Sequence, residues 1–328
     1  MRDMMPNFNL VQPTDLASAI STLADAGENG WAMAGGQDSL DWFKDRIKRP
    51  STVVDLSGVP GLTGITETAD GGVEIGAMTT LTDVENNDII KSKFGVLAMA
   101  AGRVASPQIR NQGTLGGNIS QDARCWYYRS GLDCYRAGGN TCYADTPEGM
   151  NREHCLFGAS RCVAVTPSDT AVAVATLEAE MVIAGPGGER TVPASDFFIG
   201  PAIDITRMTV LEPGEVLTTI RIPGKWAGAQ FFFEKVADRN TWDFPLVNMA
   251  SAMKVSGGVI EDITITCGAV ECVPKRLNVV EDIVKGSATN EETAELAAGA
   301  ASRGASPLNY NHFKIPLMEN LVKKVIRG

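Results

Sequence analysis

The sequence predicts an α+β chain: a small β-α-β unit first, then a second mixed unit interrupted by cysteines, then an antiparallel meander followed by helices. Three observations carry this. Apolar patterning with a glycine stop gives strand, helix and strand over residues 6–56. Cys125, Cys134, Cys142 and Cys162 fall within the 38 residues 125–162, with Cys155 among them. Three strand-like runs beyond residue 230 turn at Gly257-Gly258.

In the first unit, residues 6–27 read as an extended segment and then a helix. Thr14 is placed to cap it, Leu16, Ile20 and Leu23 share a face, and Gly27 closes it. The apolar run 31–34 leads straight into Gly35-Gly36, and 52–56 makes a short buried strand. In the second unit, the strand-like run 73–77 is followed by Thr82, a cap for a helix over 84–91, and by an alanine-rich helix over 96–104. Beyond the cysteines, 181–184 and 189–192 flank Gly185-Pro186-Gly187-Gly188 as a hairpin, and 216–222 is another strand. Ile222-Pro223-Gly224-Lys225 reads as a linker. The expected division is therefore 1–223, made of 1–57 and 58–223 with an insert at about 122–165, followed by 224–328. Runs 231–236, 249–255 and 259–268 form the meander, and the remainder alternates like helices up to Arg327.

Composition narrows the function. Lys and Arg total 29 against 39 Asp and Glu, a net charge of -10, which argues against a nucleic-acid or anionic-membrane partner. No apolar run is long enough to cross a bilayer. The first ten residues lack a charged segment followed by an apolar one, so a cytoplasmic location is expected. Seven cysteines in such a chain read as metal ligands or free thiols rather than a disulfide framework. Cys267 and Cys272 lie in an apolar, strand-like stretch and are expected in the core.

Two glycine-rich loops carry the chemistry. Ala34-Gly35-Gly36-Gln37-Asp38-Ser39-Leu40 follows a short strand, and its glycines let consecutive N–H groups converge on a phosphate. Alone, a Gly-Gly run of this kind is more often an ordinary turn. A second loop, Arg110-Asn111-Gln112-Gly113-Thr114-Leu115-Gly116-Gly117-Asn118, repeats the chemistry, with Thr114 and Asn118 as extra donors. Two such loops can clamp the halves of a pyrophosphate. Neither has the Gly-x-Gly-x-x-Gly spacing of a nicotinamide Rossmann site, and no Gly-x-x-x-x-Gly-Lys-Ser/Thr run is present.

These two loops, with Thr166-Pro167-Ser168-Asp169 and with Glu234-Lys235-Val236-Ala237-Asp238-Arg239 before Asp243-Phe244-Pro245, resemble the FAD-binding medium subunit of the molybdenum hydroxylases. That family includes xanthine dehydrogenase, carbon monoxide dehydrogenase, aldehyde oxidoreductases and 4-hydroxybenzoyl-CoA reductase. The runs occur in the family's order and span most of the chain. The resemblance implies a two-part FAD-binding domain of the p-cresol methylhydroxylase or vanillyl-alcohol oxidase type, plus a C-terminal antiparallel sheet with helices. It implies that Ala34 to Leu40 and Thr114, Gly116, Gly117 and Asn118 cradle the pyrophosphate, with Ile109 and Ser120 in the same FAD-binding set. Asp169 would bind a ribose or adenine hydroxyl; equally, with Ser168, it can cap a helix over 171–177. Lys235 and the Asp243-Phe244 stretch would lie near the isoalloxazine.

The cysteine spacing, Cys125-x8-Cys134-x7-Cys142-x19-Cys162, contains no Cys-x2-Cys pair, so it matches neither a zinc ribbon nor a bacterial ferredoxin. With two histidines in the chain, all-thiolate ligation of iron-sulfur or zinc is what the residues leave open. Four buried free thiols are the plain alternative, which the polar surroundings of Arg124, Arg129, Asp133, Arg136 and Gly138-Gly139-Asn140 disfavour. The insert resembles the one that carries a 4Fe-4S cluster in 4-hydroxybenzoyl-CoA reductase and some aldehyde oxidoreductases. The resemblance implies Cys125, Cys134, Cys142 and Cys162 as ligands; Cys155 is a fifth candidate, and Cys162 is preferred for its place just before Pro167-Ser168-Asp169.

The resemblance thus implies an electron-transfer subunit with no catalytic residue of its own, in a heterotrimer. Its partners would be a large molybdopterin-binding subunit, a small subunit with two 2Fe-2S clusters, and an external electron acceptor or donor. The complex would be an aldehyde oxidoreductase or an aromatic acyl-CoA reductase, periplasmic only if exported with a partner. The competing readings are a stand-alone flavin oxidase, weakened by the lack of a histidine near the flavin motifs, and a flavin-free scaffold subunit.

Overall fold

A computed structural model describes residues 5–328. The chain forms three sheets. Strands β1 (Asn9–Val11), β2 (Gly30–Met33) and β3 (Thr52–Asp55) make a parallel sheet with β3 in the centre. A helix, Leu16–Ala26, connects β1 to β2. Its cap is Asp15, whose carboxylate accepts from Ser18 N–H at 2.8 Å, in place of the expected Thr14; a carboxylate one residue nearer the first turn has the better reach. Gly27 ends the helix at φ 54°, as expected.

One face of this sheet packs Ala19, Leu23, Val54 and Leu56 into a small core. The other face is covered by the helix Ser39–Lys44 and by the cysteine insert: Trp42, Phe43 and Val53 pack with Tyr128 and Cys134. The insert is therefore built into the core of the first unit.

The second sheet is antiparallel, with β4 (Ile65–Glu67), β5 (Val73–Gly76), β6 (Glu180–Gly185), β7 (Gly188–Pro193) and β8 (Val216–Ile222) in the order β4-β5-β8-β6-β7. The predicted hairpin closes where Gly185 faces Gly188. Between β5 and β6 the chain makes several short helices. The expected helix over 84–91 is two helices, Leu81–Asn86 and Asp88–Lys93, because the Asn87 side chain accepts from Ile89 and Ile90 N–H and so caps the second. Thr80 caps the first, while Thr82 bonds instead to Asn111 of the second glycine loop at 2.7 Å.

The third sheet holds β9 (Gln230–Val236), β10 (Val247–Ser256), β11 (Val259–Gly268) and the short β12 (Lys275–Arg276), all antiparallel. Helices Asn278–Val284, Glu291–Ala301 and Lys314–Arg327 cover one face. The helix Asp169–Thr176 covers the other, with Thr264 Oγ1 donating to Thr176 O at 2.8 Å. Cys267 is buried on β11 as expected, whereas Cys272 lies past the strand's end and packs against Met208 and Cys162. No helix of the described residues is long and apolar enough to cross a membrane.

Glu178 joins the last two sheets. Its carboxylate accepts from Lys225 at 2.6 Å, Trp226 Nε1 at 3.0 Å and Arg276 at 2.8 Å. Burial alone would raise its pKa, but these donors hold it at about 2, below the ordinary 4.5. The depressed folded-state value means that its contribution is full above about pH 4.5 and is lost as pH falls through 2. Glu178→Gln should lower stability at pH 7 by on the order of 1–3 kcal/mol. In urea titrations it should also flatten the loss of stability between pH 5 and pH 2.

Candidate functional site

The two glycine loops meet backbone to backbone. A Cβ on Gly35 would lie 1.9 Å from Gln112 O, so only glycine permits the crossing. Gly116 backs onto the end of β5, where its N–H donates to Ala77 O at 2.8 Å. Thr114 caps the short helix Leu115–Ile119 by accepting from Gly117 N–H at 3.1 Å. Among the described residues, the N–H groups of Gly35, Gly36 and Gln37 find no acceptor within the chain.

Both loops line one cavity of about 300 Å³. Of the predicted site residues, Ala34, Gly35, Gly36, Gln37, Asp38, Ser39, Ile109, Thr114, Gly117, Asn118, Ser120, Asp169, Asp243 and Phe244 face it. Leu40, Gly116 and Lys235 do not: Leu40 packs over Gly36, and Lys235 is buried behind the wall. The sequence reading missed Trp31, Ala105, Gln121, Asp122, Arg124 and Trp242, which also line the cavity. Ala105 and Trp242 take φ of 44° and 55°, and Trp242 N–H donates to Ala105 O at 2.9 Å. Two non-glycine residues in this sparsely populated region mark a wall fixed by its surroundings. No local sequence pattern announces that strain.

Behind this wall sits a buried ion pair. Lys235 Nζ donates to Asp169 at 2.6 Å, to Asp243 O at 2.7 Å and to Arg103 O at 3.1 Å. Asn248 donates to the other Asp169 oxygen at 2.7 Å. Ser168, not Asp169, is the cap of the following helix, accepting from Ala171 N–H at 3.0 Å. Burial pushes the Asp169 carboxyl up, and the Lys235 ammonium pulls it back.

The insert touches the first loop through Asp38. Arg124 and Arg129 both donate to Asp38 Oδ1. Arg129 stacks 3.4 Å over the Trp42 ring, and Arg124 stacks 4.4 Å over Phe244. Asp122 is held on the same side by Arg136 and Lys48.

Cys125, Cys134, Cys142 and Cys162 line a single small cavity, with Tyr128, Arg136 and Arg161 around it. Cys155 packs instead against Ala144 and Val163. Burial pushes the Cys125 thiol up to about 11 and raises Cys162 as well, so thiolates here need a positive charge among them, as a metal supplies. Among the described residues, no group of three or more His, Cys, Asp or Glu side chains is placed to hold a metal ion. His154, not among the predicted ligands, places Nε2 3.2 Å from Cys125 Sγ; burial and then Lys314 hold its pKa at about 4, so the ring is neutral. A further cavity of about 570 Å³ is lined by Cys125 and His154 at one end and by Arg124, Pro167, Asp243 and Phe244, shared with the first cavity, at the other.

Residues 6–225 match the FAD-binding domain in molybdopterin dehydrogenase, and residues 232–328 match the CO dehydrogenase flavoprotein C-terminal domain. The chain belongs to this family of FAD-binding oxidoreductase subunits. The aldehyde oxidoreductase FAD-binding subunit PaoB of Escherichia coli is 31% identical over 298 residues, 90% of this chain and 89% of that protein. The carbon monoxide dehydrogenase medium chain of Hydrogenophaga pseudoflava is 31% identical over 296 residues, 90% of this chain and 86% of that one. In a solved structure, carbon monoxide dehydrogenase from the same organism lacking the Mo-pyranopterin moiety, one chain superposes with a TM-score of 0.78 at 29% identity, covering 98% and 96% of the two chains. The mixed fold of an FAD-binding domain and an antiparallel C-terminal sheet is thus that of the CO dehydrogenase flavoprotein.

The family's flavin fits the first cavity: unpaired N–H groups from Gly35 to Gln37 suit a diphosphate, and both glycine loops line the space. Breaking the ion pair behind the wall has a measurable cost. Lys235→Met leaves Asp169 buried without its cation and should destabilise the fold by about 3–5 kcal/mol, with Asp169→Asn in the same chain recovering part of it in urea unfolding.

Proposed function

We propose that this subunit carries electrons for a molybdenum hydroxylase-type complex, holding FAD between its glycine loops and a 4Fe-4S cluster at Cys125, Cys134, Cys142 and Cys162. The observation that carries the reading is that these four thiols, and not Cys155, surround one cavity whose insert is tied to the flavin loop through Asp38.

Bound FAD supplies a group that exchanges electrons both singly and in pairs. The chain's own residues position it. Gly35, Gly36, Gln37, Thr114, Gly117 and Asn118 hold the pyrophosphate region, with Ile109 and Ser120 beside it. Asp169 and Lys235 act through position: they fix the Asp243 carbonyl and the helix at the end of the cavity, and thereby Asp243-Phe244 at the isoalloxazine end. Phe244 and Arg124 form the wall between the flavin and Cys125. Arg136 and Arg161 offset the negative charge of four thiolates. In this reading none of these side chains need be a general acid or base.

Relatives named as an aldehyde oxidoreductase subunit and as medium chains support membership of a complex with larger and smaller subunits; in this reading the large one is a molybdopterin subunit that transforms an aldehyde or an aromatic acyl-CoA, the small one carries 2Fe-2S clusters, and an external acceptor or donor completes the set. The division into 1–223 and 224–328 accompanies this reading. Iron, acid-labile sulfide and flavin analysis of anaerobically purified protein should give about four irons and one FAD per chain. Cys134→Ser should lose iron and keep FAD. FAD without iron, or with zinc in its place, would contradict the cluster.

A further inference from the structure

His154 is 3% exposed, with Nε2 3.2 Å from Cys125 Sγ. Its Nδ1 is buried and has no partner among the described residues. The backbone that carries the ring is held on both sides. His154 N–H donates to Asn151 O at 3.1 Å, and its carbonyl accepts from Asn311 Nδ2 and from Lys314 Nζ, each at 3.0 Å. Lys314 also holds the carbonyls of Glu153 and Ala269, at 2.9 and 2.7 Å. The segment is pinned from the C-terminal helix.

The proton's place follows from that geometry. A proton on Nδ1 would bury an N–H with no acceptor, whereas a bare Nδ1 leaves only a lone pair unused, the cheaper defect. The proton therefore sits on Nε2 and points at sulfur. Among the described cysteines, Cys125 alone lines the cavity that also holds Arg124 and Phe244, and it follows Arg124, whose guanidinium stacks on Phe244.

We propose that His154 donates its Nε2–H to the Cys125 sulfur and thereby sets the reduction potential of the cluster on its flavin-facing side. This rests on the cluster reading above. When the cluster takes one electron from a reductant such as dithionite, no bond forms and no proton moves; one negative charge is added and shared over the sulfurs. A fixed N–H aimed at one of them stabilises the reduced state more than the oxidised one and raises the potential. His154 is a positioning residue, since it touches a ligand and not the iron.

The chain has two histidines, which makes isotope labelling specific. Reduced holoprotein grown on 15N-histidine should show, by electron-nuclear double resonance, the weak nitrogen coupling of a hydrogen-bonded imidazole, absent in His154→Leu and retained when His312 is changed to Gln. In potentiometric titrations with dithionite, His154→Leu should shift to lower potential with unchanged iron and FAD, and His154→Gln, which keeps an N–H, should return toward wild type. No coupling in the wild type, a strong coupling of a directly ligated nitrogen, or an unshifted potential in His154→Leu would each overturn the proposal. Iron-free wild-type protein would sink the cluster reading together with it, whereas iron with an unshifted potential would sink the proposal about His154 alone.

Discussion

One carboxylate joins the two halves of the chemistry. Asp38 belongs to the glycine loop that lines the cavity proposed for flavin, and its Oδ1 accepts from both Arg124 and Arg129 of the cysteine insert, residues more than eighty positions away. Each guanidinium is held a second time by an aromatic face, Arg129 by Trp42 and Arg124 by Phe244. The two guanidiniums repel each other, and the Asp38 and Asp41 carboxylates offset that repulsion while the stacked rings add cation–π contact. The next residue after Arg124 is Cys125. A displacement of Asp38 is thus passed directly to a thiol of the insert.

A second constraint acts from below. Helix Asp169–Thr176 is packed between the second and third sheets, and Lys235 reaches from β9 to its first residue and on to the Asp243 carbonyl. The loop carrying Trp242 and Phe244 cannot shift without exposing a buried ammonium or orphaning its acceptors. The C-terminal helix and the turn before it add the third hold, with Lys314 and Asn311 gripping the backbone of 153–155. The insert therefore leans on both units, which gives the C-terminal sheet and helices a direct part in placing the thiols.

Much of this was legible in the residues, and the exceptions have physical causes. The Gly185–Gly188 hairpin and the turn at Gly257-Gly258 follow from period-two patterning and glycine, which are local signals. The glycine loops were readable because the absence of Cβ is itself written in the sequence; that Gly35 is needed for contact with Gln112 was not. Caps were misplaced by one or two positions, Thr14 for Asp15 and Thr82 for Thr80, where neighbouring polar residues compete for the same N–H groups. The Asp38 pairing, the Trp242–Ala105 contact and His154 at Cys125 were invisible, since each depends on a tertiary meeting of distant segments. Asp169 showed the same limit: its partner Lys235 is 66 residues away, and only the fold decides between capping and ion pairing.

The central claim is that the flavin loop and the cysteine insert move as one body through Asp38. Hydrogen–deuterium exchange on wild-type holoprotein and Asp38→Asn tests it most directly. Faster exchange in the variant at both 34–40 and 124–130, with the third sheet unchanged, is the predicted result. Faster exchange confined to 34–40 would show that the insert stands independently of the flavin loop and would contradict it.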